Sequence, residues 1–490
     1  MTINAILLAV GGFVAWYVVS SLWTWRRLRH IPGPRLGSFS YLWVGWKSFS
    51  GGCREYEHLQ KYGPVVRVGP NYVVLADPDD IRRLNGSRSH DIRRDPWYTG
   101  GKMDPDHDTI FGLLHPEPHD ALKARVSAGY SGRDGIDFEA GVDGRIGHLV
   151  DVLRQRFVSK PPGVVKSVDF AYFIRYFTLD TITQMAFGRA FGFMDAEGDL
   201  YGYTREIEKL LSLVALAGDV PLLRRIFISP VLARWLAPKP TDTMGVGKLL
   251  GVAHKIVDDR MERDDEKVPD MIHGLNAQDI KNETLIQIVA GSDTTATAIR
   301  STMLYLMTTP RVYSRLGAEI REAVASGVSK PITVDQAKKL PYLQAVIWEG
   351  LRMRPPAIYG FYKVIPPGGD HIQGKFIPGG TAVGFNMPAM MRQERIFGSD
   401  VQLFRPERFL ECSEHKKTEM SRTVDLAFGY GRWMCAGKTL ALVELHKIFF
   451  ELLREFEWQL VYPGNAWAEK AHTVMTQRDM WVSLTEVDTA

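Results

Sequence analysis

Apolar residues recur every three or four positions through most of this 490-residue chain, the spacing that places them on one face of a helix. Phe170–Phe187 and Leu440–Phe456 show this pattern most clearly, and Asn282–Thr309 can form one long helix that ends before Pro310. Short segments with the composition of β-strands lie at residues 65–68, 72–75, 374–378 and 381–383. The pattern predicts a mainly α fold with a small β region.

The N-terminal segment has a different pattern. Ile3–Trp25 contains no formally charged residue, and at about 1.5 Å per helical residue it is long enough to cross a membrane core about 30 Å thick. Trp23 lies near one end, where interfacial aromatic residues are favoured. The segment predicts a single N-terminal transmembrane helix. A cleaved secretory signal is the alternative, disfavoured because the apolar run is long and no basic region precedes it.

The residues that follow are basic and rich in proline. The basic residues within 26–30 favour retention of the following chain on the cytoplasmic side of a membrane. Residues 31–35 (Ile-Pro-Gly-Pro-Arg) break the helix. We therefore expect an anchor at residues 1–25, a basic, proline-rich hinge at residues 26–38 and one folded catalytic domain at residues 39–490.

Composition and charge limit the possible functions. The chain is 45% hydrophobic and 24% charged, as is usual for folded proteins, and its formal net charge of +4 with no long basic run argues against nucleic acid as a partner. The 3 cysteines, Cys53, Cys412 and Cys435, are odd in number and far apart. They imply no disulfide framework and favour a reducing compartment. We interpret Cys53 and Cys412 as incidental thiols.

Cys435 lies in a segment with a specific chemical pattern, Phe428–Gly437 (FGYGRWMCAG). Its glycines let the backbone approach a flat ligand closely, and Arg432 can pair with a carboxylate. The helical run that begins near Ala436 offers amide N–H groups and a positive dipole end, which lower the pKa of a thiol. A thiolate on heme iron favours cleavage of the O–O bond. The segment predicts a loop that presents a thiolate to a heme iron.

This loop resembles the heme-binding loop of cytochrome P-450 monooxygenases, and other motifs of that family occur in the right order over nearly the whole chain. The resemblance implies the cytochrome P-450 fold and heme b, with Cys435 as the axial iron ligand and Phe428, Arg432 and Gly437 as heme contacts. Phe428 would pack beside the sulfur, although a plain core aromatic is the alternative. Residues 128–132 and the loop are most similar to filamentous-fungal members of the pisatin-demethylase-like group, many of which modify secondary metabolites.

Residues 290–295 (Ala-Gly-Ser-Asp-Thr-Thr) lie inside the longest predicted helix. Gly291 costs about 1 kcal/mol of helix stability relative to alanine, and small residues at 290 and 291 would let the helix lie close to a flat cofactor. The Thr294 hydroxyl can bond to the carbonyl of Ala290 and bend the helix. The pattern resembles the family's acid–alcohol pair, which implies that Asp293 relays protons from solvent and Thr294 positions a water or donates a hydrogen bond. A polar stretch facing solvent is the alternative.

Three further charged residues match family motifs that support the cysteine loop. Glu349 and Arg352 lie one helical turn apart, and Arg408 follows within residues 404–409 (FRPERF). Taken alone, such a pair is usually a weak surface ion pair. The resemblance implies that the three residues are buried together and have a structural role in holding the segment that presents Cys435.

Other basic residues match positions with roles in the family. His119, Lys123 and Lys363 correspond to contacts with the heme propionates, although lysine stands where arginine is common and cannot form a bidentate fork. Ordinary surface lysines are the alternative. Lys438 and Lys447 lie near the loop, and we expect them to form part of a basic face that receives an acidic flavoprotein electron donor.

The apolar and aromatic segments 97–118, 191–236 and 357–362 are expected to form a pocket for a lipophilic small molecule. The resemblance implies a monooxygenase that uses O2 to hydroxylate, epoxidise or demethylate this substrate, with electrons from NADPH through a separate cytochrome P-450 reductase. We predict a single-pass protein of the endoplasmic reticulum membrane whose catalytic domain is cytoplasmic. The alternatives are a heme-thiolate isomerase or dehydratase that needs no reductase, and a non-catalytic heme protein. The Asp293–Thr294 pair argues against both.

Overall fold

The computed structural model describes residues 2–86, 92–102, 104, 107–133, 136–160, 162–229, 231–232, 235, 237–262, 271 and 275–487. In these residues the α-helices are α1 (Thr2–Arg27), α2 (Arg35–Phe39), α3 (Tyr41–Ser50), α4 (Pro78–Asn85), α5 (Pro116–Ser131), α6 (Phe138–Arg156), α7 (Phe170–Phe187), α8 (Phe193–Ala196), α9 (Tyr203–Asp219), α10 (Pro221–Phe227), α11 (Gly245–Glu262), α12 (Ala277–Thr308), α13 (Pro310–Ala325), α14 (Val334–Ala337), α15 (Pro341–Met353), α16 (Met387–Met390), α17 (Glu394–Phe397), α18 (Glu414–Val424) and α19 (Lys438–Glu455). Short 3-10 helices lie at Cys53–Tyr62, Pro96–Gly101, Leu200–Gly202, Pro406–Phe409, Asp425–Phe428, Gly431–Trp433 and Pro463–Asn465.

The strands are β1 (Val65–Arg67), β2 (Tyr72–Leu75), β3 (Val168–Asp169), β4 (Tyr359–Val364), β5 (Asp370–Ile372), β6 (Lys375–Ile377), β7 (Ala382–Asn386), β8 (Phe456–Leu460), β9 (Ala468–Ala471), β10 (Met475–Arg478) and β11 (Trp481–Glu486). The largest sheet has the order β1-β2-β7-β4, in which only the β2–β7 pair is parallel. A second sheet, β3-β11-β8, and two hairpins, β5-β6 and β9-β10, complete the β region. The mainly α architecture with a small β region agrees with the hydrophobic pattern.

The helix ends follow local chemistry. Helix α7 has the bounds expected from the sequence: Asp169 accepts a hydrogen bond from the Ala171 amide at its start, and Gly188 adopts a left-handed φ of 71° at its end. Helix α12 begins at Ala277, earlier than the expected Asn282, because Asn276 caps it through the Asp279 amide. It ends at Thr308, ahead of Pro310, as the sequence predicts.

Helix α1 covers the whole segment that was predicted to span a membrane. Among the residues described, no helix combines the length and the apolar character required for a membrane crossing. The C-terminal end of α1 is joined to the main sheet: Arg67 donates to the Trp25 carbonyl at 3.1 Å, and Arg27 donates to the Gly379 carbonyl at 2.6 Å. Trp25 also stacks on Phe39 of α2, with ring centroids 5.2 Å apart.

The long helix α12 runs through the centre of the protein and packs on α7, α11, α15 and α19. Its residues from Ala296 to Met303 are buried, including Ile299 and Met303 with no exposed area. The loop that precedes α19 faces α12 across an internal cavity. The hydrophobic core therefore fixes the two walls between which the functional side chains lie.

Candidate active site

A cavity of about 950 Å³ separates α12 from the loop 428–437. One wall carries Cys435 and Phe428, and the other carries Ala290 and Thr294. The remaining lining is mostly apolar and aromatic. The structure thus places the two motifs that the sequence analysis singled out on opposite sides of one enclosed space.

The backbone of the loop holds Cys435 toward the cavity. The Cys435 amide donates to the Phe428 carbonyl at 2.7 Å, which closes the loop on itself. Gly431 has a left-handed φ of 59°, and a Cβ placed there would lie 2.4 Å from the Asn85 carbonyl oxygen. This close approach requires glycine. The Cys435 side chain is exposed, and it lines the cavity.

The electrostatics around the thiol are mixed. Burial raises the pKa of Cys435, while the Gly437 amide, the charges of Lys123 and Lys438 and the Lys438 amide act to lower it. Helix α19 begins at Lys438 with Gly437 as its N-cap, slightly later than the run expected from Ala436. The protein groups alone therefore do not produce a thiolate, whereas a coordinated metal ion deprotonates a thiol outright.

A cationic cluster borders the loop. It consists of Arg94, Lys123, Lys363 and Arg432, all of which line or adjoin the cavity, and the neutral imidazole of His119 packs against Trp433 beside them.

Lys363 is the most informative member of the cationic cluster. Its side chain is only 2% exposed, and its ammonium lies 3.2 Å from the Tyr98 hydroxyl and 4.5 Å from the centre of the Trp433 ring. Within the described part of the chain no carboxylate forms an ion pair with it. Burial and the nearby charge of Arg94 lower the pKa of Lys363. An anionic ligand beside this buried amine would favour its charged form, so Lys363 fits a site for an anion.

Arg94 was missed by the sequence analysis. Its guanidinium donates to the Ile110, Phe111 and Leu113 carbonyls at 2.8, 3.0 and 3.1 Å. It lies 4.3 Å from the centre of the Trp433 ring, and its Nε has no hydrogen-bond partner among the described residues. No local motif marks this arginine. Only the fold brings it next to Lys363.

The other members of the cluster are tied to the protein. Lys123 donates to the Arg432 and Met434 carbonyls at 2.7 and 3.0 Å, so it supports the cysteine loop directly. Arg432 lies 2.9 Å from Asp120, and His119 lies 3.1 Å from the same carboxylate. Burial and the charge of Arg94 lower the pKa of His119 to about 4, so its imidazole is neutral at pH 7.

These residues fit a heme. The thiol lines the cavity wall, Ala290 leaves the opposite wall open, and Lys363 and Arg94 are buried without a carboxylate partner in the described residues. The two propionates of a heme are carboxylates that would neutralise these cations. Cys435 would ligate the iron, and Phe428 and Gly437 would lie beside the ligating sulfur.

Helix α12 makes the side-chain hydrogen bond that its sequence predicts. The Thr294 hydroxyl donates to the Ala290 carbonyl at 2.7 Å. Gly291 lines the cavity, as the sequence predicts, and it also has a second reason to be small. A Cβ on Gly291 would lie 2.6 Å from Cγ1 of Ile182, so this glycine is required by the packing of α12 on α7. Ala290 is the small residue whose exposed side chain faces the cavity.

Asp293 is buried rather than open to solvent. It is 2% exposed, lines the cavity and lies 2.9 Å from Nε of Arg175 on α7. In this conformation it makes no contact with bulk water. Delivery of protons from Asp293 to the Thr294 side of the cavity therefore requires the carboxylate to turn away from Arg175.

Glu349, Arg352 and Arg408 lie together in the core. Arg352 donates to both carboxylate oxygens of Glu349 at 2.7 and 2.8 Å, and Arg408 donates to the same oxygens at 3.1 and 3.2 Å. Arg352 also binds the Met391 and Val401 carbonyls at 3.0 and 2.8 Å. None of the three residues lines the cavity. We refer to them as the structural triad.

One residue assigned to the basic face lies elsewhere. Lys447 is fully buried and binds Glu139 and Asp143 of α6 at 2.7 and 2.8 Å, so it cannot contribute to a docking surface. The prediction was wrong because these carboxylates, far away in sequence, pack against α19. Lys438 is partly exposed and lies 3.2 Å from Asp425.

Glu444 on α19 was also missed. It is 2% exposed and lines the cavity, and its side chain is hydrogen-bonded to Thr295 of α12. Burial raises the pKa of Glu444 to about 8. The two walls of the cavity are thus joined by a carboxyl group that is largely neutral at pH 7.

Each segment expected to form the substrate pocket contributes to the cavity. Tyr98 and Phe111 come from the first segment, Leu210 and Val214 from the second, and Phe361 from the third. The segment 472–474, after β9, also lines the cavity and was not expected from the sequence.

Comparisons with known proteins agree with this arrangement. A family model described as Cytochrome P450 matches residues 32–244 and 250–478. The chain is 42% identical over 477 residues to "Cytochrome P450 monooxygenase ABA1" of Pyricularia oryzae, covering 94% of this chain and 93% of that protein. It is 42% identical over 473 residues to "Cytochrome P450 monooxygenase aba1" of Botryotinia fuckeliana, covering 94% and 92%.

A solved cytochrome P450 structure (CYP102L1) superposes with a TM-score of 0.73 at 20% identity, over 93% of this chain and 99% of that one. The fold that the sequence predicts is therefore confirmed.

Proposed function

Since this chain belongs to the cytochrome P450 family and is a heme-thiolate monooxygenase, we propose that it is a membrane-anchored enzyme that hydroxylates, epoxidises or demethylates a lipophilic small molecule. One observation carries the proposal: Cys435 and the Asp293–Thr294 pair face each other across a single apolar cavity. Heme b, when bound, supplies an iron centre that activates O2.

The protein residues have separate roles in this reaction. Cys435 would hold the iron, and Lys363 and Arg94 would bind the propionates. Thr294 keeps a hydroxyl beside the cavity because its own hydrogen bond goes to the Ala290 carbonyl. Asp293 holds a carboxylate at the same wall, from which a proton can pass toward Thr294. The structural triad keeps the loop segment in place and takes no part in the chemistry.

The substrate class follows from the cavity lining. Aromatic and aliphatic side chains from α9, α12 and the β4 region surround the space above Cys435, which suits a lipophilic molecule. The named relatives are fungal enzymes, and on this basis we propose a role in fungal secondary metabolism. Electrons would come from NADPH through a separate reductase.

For location we propose the endoplasmic reticulum membrane, with α1 as a single-pass anchor and the catalytic domain in the cytoplasm. The proposal is supported by the absence of formal charge from Ile3 to Trp25 and by exposed apolar side chains on α1, including Val19 and Leu22. Deletion of residues 1–25 is expected to release much of the enzyme from membranes. Full retention would indicate another attachment site.

The test of the main proposal is spectroscopic and enzymatic. Reduced wild-type protein with carbon monoxide is expected to show the absorption of a thiolate-ligated heme, and Cys435→Ala is expected to lose it. Wild-type protein with a reductase is expected to consume NADPH when substrate is present. Retention of the thiolate spectrum by Cys435→Ala would exclude Cys435 as the ligand. NADPH-independent conversion would favour the isomerase or dehydratase alternative, and absence of any conversion would favour a non-catalytic heme protein.

A further inference from the structure

Arg175 joins three helices beside the cavity wall that α12 forms. It lies on α7 and is fully buried. Its Nε lies 2.9 Å from Asp293 on α12, and its Nη1 donates to Glu208 on α9 at 3.1 Å. Burial alone would lower the pKa of Arg175, but the two carboxylates outweigh this effect and raise it. The guanidinium is therefore always charged and always needs a counter-ion.

The two carboxylates differ in environment. Asp293 is 2% exposed and lines the cavity, whereas the Glu208 side chain is 21% exposed and lies away from the cavity lining. Asp293 is the one that must turn toward Thr294. If it were the only partner of Arg175, its departure would leave a buried guanidinium without a counter-ion, which is strongly unfavourable.

A second buried cation increases this cost. Arg300 on α12 is fully buried and donates to the Ala296, Ala171 and Gln477 carbonyls at 3.0, 3.0 and 3.1 Å. Burial and the neighbouring charge of Arg175 lower the pKa of Arg300 to about 9, and Asp293, Asp169 and Glu208 oppose this shift. Without Asp293 and Glu208, the guanidinium groups of Arg175 and Arg300 would repel each other, and neither of these two carboxylates would offset the repulsion.

We propose that Glu208 is a positioning residue that keeps Arg175 neutralised while the Asp293 carboxylate turns toward Thr294. This role rests on the proposed function, because it serves the proton transfer assigned to Asp293. It also gives α9 a direct effect on the reaction. Leu210 and Val214 of the same helix line the substrate cavity.

The first experiment is a double-mutant cycle on the heme-loaded protein. Thermal unfolding is measured for wild type, Glu208→Gln, Asp293→Asn and the double variant. Each single variant leaves Arg175 with one carboxylate, and the double variant leaves none. We expect the double variant to lose roughly 2–5 °C more in melting temperature than the sum of the single losses. Additive losses would overturn the proposal.

The second experiment uses Glu208→Gln alone, so it does not depend on recovery of the double variant. Because Asp293 is then the only carboxylate on Arg175, it leaves less often and proton delivery slows. We expect the solvent isotope effect on substrate turnover in D2O to rise about twofold, with more NADPH diverted to hydrogen peroxide. Glu322→Gln, the same charge change at an exposed position on α13, is the control and is expected to behave as wild type. An unchanged isotope effect in Glu208→Gln would contradict the role of Glu208.

The carbon monoxide spectrum distinguishes a failure of the Glu208 proposal from a failure of the proposed function on which it rests. A missing thiolate spectrum in the wild type would remove the proposed function. A normal spectrum in all variants, together with additive melting losses or an unchanged isotope effect, would remove only the role of Glu208. Thr294→Ala is measured alongside, because increased peroxide release there shows that the assay detects a fault in proton delivery.

Discussion

The structural triad and the cationic cluster both bury positive charge, but they differ in how that charge is neutralised. In the triad, one carboxylate receives hydrogen bonds from two arginines, and backbone carbonyls receive most of the remaining donors. In the cluster, Lys363 and Arg94 are equally buried, yet among the described residues neither forms an ion pair with a carboxylate. Protein groups balance the positive charge of the triad, whereas the charge of the cluster is balanced only when an anion is bound.

The comparison of the triad with the cluster distinguishes charged residues that support the structure from those that bind a ligand, and it does so without use of a sequence motif. A buried charge without a partner is costly, so a protein retains one only where something else neutralises it. The triad does not line the cavity, while Lys363 and Arg94 do. Position and charge balance therefore lead to the same assignment of roles.

The largest effect is expected from breaking the triad. Glu349→Gln preserves the shape of the side chain but removes the one carboxylate that pairs with Arg352 among the described residues, and Arg408 keeps Asp400 at 2.7 Å. Breaking a buried pair in this way costs about 3–5 kcal/mol. We expect a large loss in the yield of heme-loaded protein and in its melting temperature. Glu414→Gln, an exposed position on α18, is the matched control. Equal behaviour of the two variants would mean that the triad does not support the fold.

A different outcome is expected in the cationic cluster. Lys363→Met keeps most of the side-chain volume and removes a buried amino group that has no carboxylate partner in the described part of the chain. The variant should therefore fold normally, but it should release heme to an acceptor protein roughly tenfold faster, since about 1.4 kcal/mol of propionate binding corresponds to that factor.

Lys339→Met, at an exposed position, controls for the substitution itself. Unchanged heme release by Lys363→Met would show that Lys363 does not bind a propionate. A marked loss of melting temperature before heme is lost would place Lys363 with the triad as a structural residue, and the distinction between the two regions would fail.

The sequence was sufficient for features that lie within one segment. The cysteine loop, the Thr294–Ala290 hydrogen bond and the bounds of α7 each depend on residues close together in the chain. Glycine spacing, an i−4 carbonyl and a capping aspartate act locally, so a pattern can predict them.

The sequence was insufficient where distant segments meet. Arg94, Arg175 and Glu444 carry no motif, and their importance comes from the charge balance that tertiary packing creates. Lys447 was assigned to a surface for the same reason, because Glu139 and Asp143 bury it from another helix. The contact of Gly291 with Ile182 of α7 could not be foreseen either, because the two residues lie on different helices.

The smallest expected effect concerns Glu444. The described residues provide no ion-pair partner for this buried carboxyl group. It is thus an acidic counterpart of Lys363, which is a buried base without a carboxylate partner. Burial raises its pKa to about 8, well above the ordinary value of 4.5. The folded state retains the proton while the unfolded state has lost it, so stability falls as pH rises from about 4.5 to 8. Glu444→Gln should remove this part of the pH dependence and raise the melting temperature at pH 8 relative to wild type, while the difference at pH 5 is small. Parallel melting curves for the two proteins from pH 5 to 8 would show that Glu444 is ionised in the folded enzyme, and that a cation from outside the described residues completes its charge balance.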